Sequence, residues 1–221
     1  MATLNQIKYL ELNRDKLRDP ILIVGSRLYD FDAQDIATNL REWGQTEIIG
    51  VDLVPGAGVD EILNITDSDA QFIQDHENFF NTVICMEVLT SVSHPFRAAE
   101  NVRRMLKVGG AVLLSECFVR KMSRMPVDYW RFTYDGTKEL FSFLSFNDDR
   151  ARMSYTRDKS GTLWPYRIPM PEVVHSRHED ESYAGYFLRR LHRKLFGGRV
   201  FSLSRLMPEI TIYSAAEKTK S

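Results

Sequence analysis

Short apolar runs alternate with longer amphipathic stretches along the first 120 residues. Pro20 is followed by Ile21-Leu22-Ile23-Val24, stopped by Gly25, the pattern of a buried strand. Ile36, Leu40 and Trp43 recur near helical spacing within residues 32–43, and Gly44 ends that helix. Residues 47–53 read as a second strand and residues 59–65 as a third, shorter one, followed by helix around 67–78. Residues 81–89 form a fourth strand running into a loop. Pro95 then opens a helix reaching about Lys107, with Ala98, Val102, Met105 and Leu106 on its apolar face. Gly109 and Gly110 break it, and residues 111–118 make a fifth strand. Strand and helix alternating at this spacing predict one α/β layer, a parallel sheet with helices on both faces. Such sheets bind ligands beyond the carboxyl ends of their strands.

Past residue 150 the pattern weakens. Residues 163–174 are rich in proline and aromatics and read as an ordered surface loop. Residues 182–197 read as a helix, and residues 209–218 alternate like a strand that closes the sheet. The length, 221 residues, suits a single domain, and 43% hydrophobic residues suffice for a core. A net charge of -1 argues against bulk electrostatic binding of nucleic acid. No apolar run approaches the roughly 18 to 20 residues of a membrane span. Cys85 and Cys117 both lie in apolar runs, which suits two reduced, buried thiols in a cytoplasmic protein and makes no metal site.

Chemistry is expected where the strands end. The loop after the first strand is Gly25-Ser26-Arg27-Leu28, with Arg27 and Leu28 where a dinucleotide-binding loop carries further glycines. That weighs against a pyrophosphate, and so against a nicotinamide-dependent oxidoreductase. It is compatible with a phosphate-free cofactor, or with a glycine that simply turns the strand. Asp52 ends the second strand, where a carboxylate accepts from ribose hydroxyls. Asn64 ends the third, where its oxygen suits an adenine amino group or a turn. His94 follows the fourth strand, either as a base or as an exposed residue at a helix start. Asp128, Tyr129, Trp130 and Arg131 follow the fifth, either as an acceptor wall or as a structural knot in which Asp128 pairs with Arg131 and Trp130 packs under the sheet. Glu116, within the fifth strand, would be costly if buried unpaired. Residues 187–199 are basic and amphipathic. Phe187, Leu188, Leu191 and Leu195 are expected to pack on the domain, leaving at most weak contact with a membrane surface.

The block from residue 81 to 118 resembles class I S-adenosylmethionine-dependent methyltransferases of the type 11 group. That group shows an "EVLEHV" loop and a helix ending in "LKPGG". Here stand Glu87-Val88-Leu89 and Leu106-Lys107-Val108-Gly109-Gly110. Residues 128–133 read DYWRFT, as in a subgroup linked to glycan and secondary-metabolite methylation. The resemblance runs from about residue 20 to about residue 140. It implies a doubly wound, mostly parallel, seven-stranded Rossmann-like methyltransferase fold. One domain would span 1–221, with a cofactor-binding core at 20–145 and an insertion or lid at 150–205. It implies S-adenosyl-L-methionine as cofactor, held by Gly25, Ser26, Arg27, Asp52, Leu53, Asn64, Ile65, Cys85 and Met86. It implies methyl transfer to O or N of a small-molecule or glycan-type acceptor bound by Tyr129, Trp130, Arg131 and Trp164, with His94, Glu87 and Asp128 as catalytic candidates. The chain departs from the group at Arg27 and Leu28, and at Thr90-Ser91 in place of Glu-His. Those departures leave a second reading, a catalytically inactive member that binds cofactor as a regulator or scaffold.

Overall fold

The computed structural model describes residues 2–30, 34–120, 122, 127–154, 162–166, 182–196 and 209–219. Its strands are β1 (Ile21–Val24), β2 (Ile48–Asp52), β3 (Glu61–Ile62), β4 (Phe80–Met86), β5 (Leu106–Val119), β6 (Ser145–Phe146), β7 (Arg152–Ser154), β8 (Trp164–Pro165) and β9 (Ile210–Glu217). Its helices are α1 (Leu4–Leu12), α2 (Ile36–Glu42), α3 (Gln71–Asp75), α4 (Pro95–Met105), α5 (Tyr134–Leu140) and α6 (Tyr183–Phe196). They build the expected Rossmann-like methyltransferase architecture. One sheet runs in the order β3-β2-β1-β4-β5-β9-β7-β8, and β6 also pairs with β9. The five strands from β3 to β5 are mutually parallel.

Period-two alternation decides the two faces. Leu22 and Val24 of β1 join Val83, Cys85, Val112 and Leu114 in the larger core, beneath Ile73 of α3 and Ala98, Val102 and Met105 of α4. Ile21 and Ile23 point the other way, with Ile84, Met86 and Leu113, onto Ile7 and Leu10 of α1 and Leu40 of α2. A strand buried on both faces is why β1 and β4 read as continuous apolar runs.

Three sequence expectations change. The last strand, β9, lies inside the sheet, antiparallel between β5 and β7; seven of its eight residues are buried, which an edge position would not allow. Among the described residues nine strands occur, because the two-residue strands β6 and β8 join the expected seven. The apolar side of α6 does not pack as expected: Phe187, Leu188 and Leu191 are exposed. Helix α1 was not anticipated, although Thr3 and Gln6 make a reciprocal capping box around its first turn.

Lys218 fixes the far end of α4. Its buried ammonium donates to Asn78 Oδ1 (2.9 Å), Arg103 O (2.9 Å) and Leu106 O (2.7 Å). It thus satisfies carbonyls that the helix end leaves open and places a cation at the negative end of the dipole.

Candidate active site

The loop after β1 turns at Gly25, whose φ is +75°. A Cβ there would lie 2.5 Å from Val88 Cγ2, so both the backbone and the close approach of the β4 loop require glycine. The bulk of Arg27 and Leu28 is taken up across the way. Gly56 lies under the Arg27 side chain, and Gly58 lies under Ser26 O and Leu28, where a Cβ would be 2.8 Å from that oxygen. Leu28 N donates to Ala57 O at 2.9 Å. The loop after β2 therefore supplies the small residues that the loop after β1 lacks.

Asp52 ties these loops together. Its Oδ2 accepts from Arg27 N (3.2 Å) and its Oδ1 from Val54 N (3.1 Å), so the half-buried carboxylate is oriented beside Gly25. Ser26 Oγ is buried and has no hydrogen-bond partner. The Arg27 guanidinium stacks on the Tyr29 ring, 4.9 Å from its centroid. Leu53 is exposed at the end of β2. Asn64 is exposed too, but its Oδ1 accepts from Thr66 N (3.1 Å) and Thr66 Oγ1 (2.8 Å), an Asx-type turn that occupies the oxygen expected to face adenine. Ile65 is buried, and its carbonyl accepts from Asn101 Nδ2. Met86 borders the crevice with Gly25 and Ser26. Cys85 points instead into the α3–α4 core, and burial pushes its thiol far above the usual range.

The second half of the site lies at the ends of β4, β5 and β9. Glu87 sits at φ +55°, a left-handed conformation that is uncommon outside glycine. Its Oε2 pairs with Arg120 Nη1 at 2.7 Å, and its Oε1 accepts from Thr211 Oγ1 at 3.3 Å. The Glu87 and Arg120 side chains are 8% and 12% exposed, so the pair is mostly desolvated. Beside it, Glu116 is buried under the 88–91 turn. Leu89 N donates to its Oε1 at 3.1 Å, while Oε2 has no partner. Loss of water pushes its pKa well above the ordinary carboxylate range, despite that amide contact. Cys117 follows, and burial raises its thiol to about 11.

The DYWRFT segment is strapped across these strand ends. Tyr129 N (2.8 Å) and Trp130 N (3.2 Å) donate to Thr90 O, and Phe132 N donates to Cys117 O at 3.1 Å. Trp130 Nε1 donates to Val92 O at 2.8 Å. Asp128 and Arg131 form a two-pronged ion pair, as one sequence reading expected. Trp130 does not pack under the sheet: it is 43% exposed, as is much of Tyr129. His94 is exposed at the start of α4, and its side chain makes no capping bond.

Trp164 stands apart. It lies in the edge strand β8, three strands beyond β5, or about 14 Å away at the usual strand spacing. Residues 164–165 thus cover a sheet edge, and residues 167–174 of the expected lid lie outside the described residues. A groove of about 400 Å³ occurs at the opposite end of the sheet, beside Ala111, Ser145 and Glu217, and contains none of the expected site residues. Sequence reasoning missed Arg120 and Thr211. Arg120 directly follows β5, so the strand-end rule was enough to find it; Thr211 is 124 residues from Glu87, and only the fold brings the two together.

Residues 32–181 match a family model described as a methyltransferase domain. The chain belongs to this methyltransferase family. Among solved structures, the methyltransferase resembles an S-adenosylmethionine-dependent methyltransferase from Archaeoglobus fulgidus, at 10% identity and TM-score 0.52, over 98% of this chain and 95% of that one. It resembles the 1,6-didemethyltoxoflavin N1-methyltransferase of Burkholderia thailandensis, solved with its substrate and S-adenosylhomocysteine, at 12% identity and TM-score 0.58, over 98% and 79%. It also resembles the [4+2]-cyclase SpnF, at 14% identity and TM-score 0.52, over 97% and 82%. At such identities the likeness speaks for the fold. No curated protein matches the chain by sequence.

Proposed function

We propose that this methyltransferase moves the methyl group of S-adenosylmethionine to an oxygen or nitrogen of a small-molecule or glycan-type acceptor, within the type 11, DYWRFT-bearing subgroup. The observation that carries the reading is the joining of the Gly25 loop to Asp52 through the Arg27 amide, beside a strapped mouth of aromatic and charged side chains.

The residues present fit the cofactor in chemistry. Asp52 keeps lone pairs for ribose hydroxyls, and the orphaned Ser26 Oγ suits an amino-acid carboxylate. Leu53 offers an apolar surface to the base, and Ile65 and Met86 complete the wall. The space beside Gly25 is small, about 20 Å³, room for about one water. When bound, S-adenosylmethionine supplies an electrophilic sulfonium methyl.

The chain's own work is then to align the acceptor and take its proton. Tyr129 and Trp130 present ring faces to a ring-shaped acceptor, and Arg131, fixed by Asp128, orients its polar edge. Glu87 is a positioning residue, because Arg120 and Thr211 already engage both its oxygens. His94 is the base, since neither of the other candidates, Glu87 and Asp128, is free of an ion pair. The two buried free thiols, Cys85 and Cys117, support a reducing compartment such as the cytoplasm as its location.

Titration with S-adenosylhomocysteine tests the cofactor: micromolar binding supports the reading, and preference for a dinucleotide overturns it. Methyl transfer from labelled S-adenosylmethionine to a panel of sugars, phenols and amines tests catalysis. With the acceptor so found, His94→Ala should lower kcat by about 10²- to 10⁴-fold with S-adenosylhomocysteine affinity retained. An unchanged kcat refutes the base assignment. A second reading, a cofactor-binding regulator, is favoured by the engagement of Glu87 by Arg120. It predicts homocysteine-analogue binding with no transfer.

A further inference from the structure

Helix α6 carries an apolar stripe left open to solvent. Phe187, Leu188 and Leu191 are 65%, 64% and 42% exposed, and Tyr183 at the helix start is exposed as well. At 3.6 residues per turn, positions 187, 188, 191 and 195 fall within an arc of about 100°. The same helix holds Arg189, Arg190, His192, Arg193 and Lys194 and no acidic residue, in a chain whose net charge is -1. The helical period sets positions 190 and 194 on one flank of the stripe, position 192 along the other, and positions 189 and 193 opposite it. Phe and Leu on one face with Lys and Arg around the rest is the composition that interfacial helices carry.

We propose that α6 is an interfacial helix that docks the protein onto an anionic lipid bilayer. The stripe enters the boundary between headgroups and acyl chains, and the flanking cations meet lipid phosphates. The helix lies on the surface rather than crossing it. Its 14 residues reach only about 21 Å, short of the roughly 30 Å hydrocarbon core. Among the described residues no helix is long and apolar enough to span a membrane. Docking needs neither cofactor nor acceptor, so it stands or falls separately from the proposed catalytic function.

The test is co-sedimentation of the full chain with phosphatidylcholine vesicles, with and without 30% phosphatidylglycerol, at low and high salt. Binding is expected only to the anionic vesicles and should weaken with salt. Arg190→Gln with Lys194→Gln should weaken it about 25-fold, at about fivefold per cation lost near the surface. Phe187→Ser with Leu191→Ser should abolish it with an unchanged thermal midpoint. The charge variant decides the matter if the apolar variant fails to fold. Absence of anionic-vesicle binding, or equal binding to neutral vesicles, overturns the proposal. So does concentration-dependent self-association that the apolar variant abolishes, which would assign the stripe to a second copy of the chain.

Discussion

Glu116 offers the sharpest test of the packing around the site. Its carboxyl is buried in β5 beneath the 88–91 turn, with the Leu89 amide donating to Oε1 and no hydrogen-bond partner on Oε2. Burial raises its folded pKa well above the ordinary value near 4.5, and the negative charge of Glu87 pushes the same way. Below about pH 4.5 both folded and unfolded chains hold the proton, and the group costs nothing. Above it, the unfolded chain releases a proton that the folded chain keeps. Stability then falls as pH rises, by about 1.4 kcal/mol per unit, until the raised folded value is passed. Glu116→Gln keeps an oxygen for the Leu89 amide and has no proton to lose. Its thermal midpoint should therefore gain on that of the wild type as pH rises from 5 to 8. For a domain of this size 1 kcal/mol is worth about 2 to 4 °C, so the gap should widen by roughly 3 to 5 °C per pH unit for as long as the folded group keeps its proton. Scanning fluorimetry of both proteins across that range measures it, and other titrating groups cancel in the difference. A gap that stays constant from pH 5 to 8 would refute a buried, protonated Glu116.

Asp52→Ala should weaken S-adenosylhomocysteine binding by about 1 to 3 kcal/mol, through lost ribose contacts and loss of the Arg27 amide anchor, as read by calorimetric titration; equal affinity in a folded variant sinks the assignment. Lys218→Met leaves Arg103 O and Leu106 O without their charged donor, at a cost of about 2 to 3 kcal/mol. Its midpoint should drop by about 4 to 12 °C with cofactor binding retained, and a drop under 2 °C would contradict a structural role.

The Glu87–Arg120 pair shows how a site arises from parts with separate reasons. Glu87 is in a left-handed conformation where β4 stops, so the expected strand to residue 89 ends at Met86 and a short turn follows. That turn offers Thr90 O and Val92 O to the DYWRFT strap and the Leu89 amide to Glu116. Burying an ion pair costs desolvation that its own attraction roughly returns. Its presence at the strand ends, with the strained backbone, is better understood as the positioning of a site than as a source of stability.

By itself the sequence determined the parallel half of this protein. Strands buried on both faces must be apolar throughout, and Gly25, Gly44 and Pro95 mark where chain direction changes, so β1 through β5 and α4 were legible from local pattern. Asp52 was legible because a strand end is a place, and the place implies its neighbours. Tertiary structure alone decided the rest. β9 entered between β5 and β7 because sheet order depends on which apolar faces remain uncovered, a property of the assembled layers rather than of any segment. Gly56 and Gly58 compensate for Arg27 and Leu28 because two loops some 30 residues apart in sequence are pressed together by adjacent strands. Asn64 spent its oxygen on its own turn, one of the two uses, turn or cofactor, that the sequence left open. Trp164 went to the sheet edge, and the α6 stripe stayed open, because burial requires a facing surface, and only the folded chain reveals whether one exists.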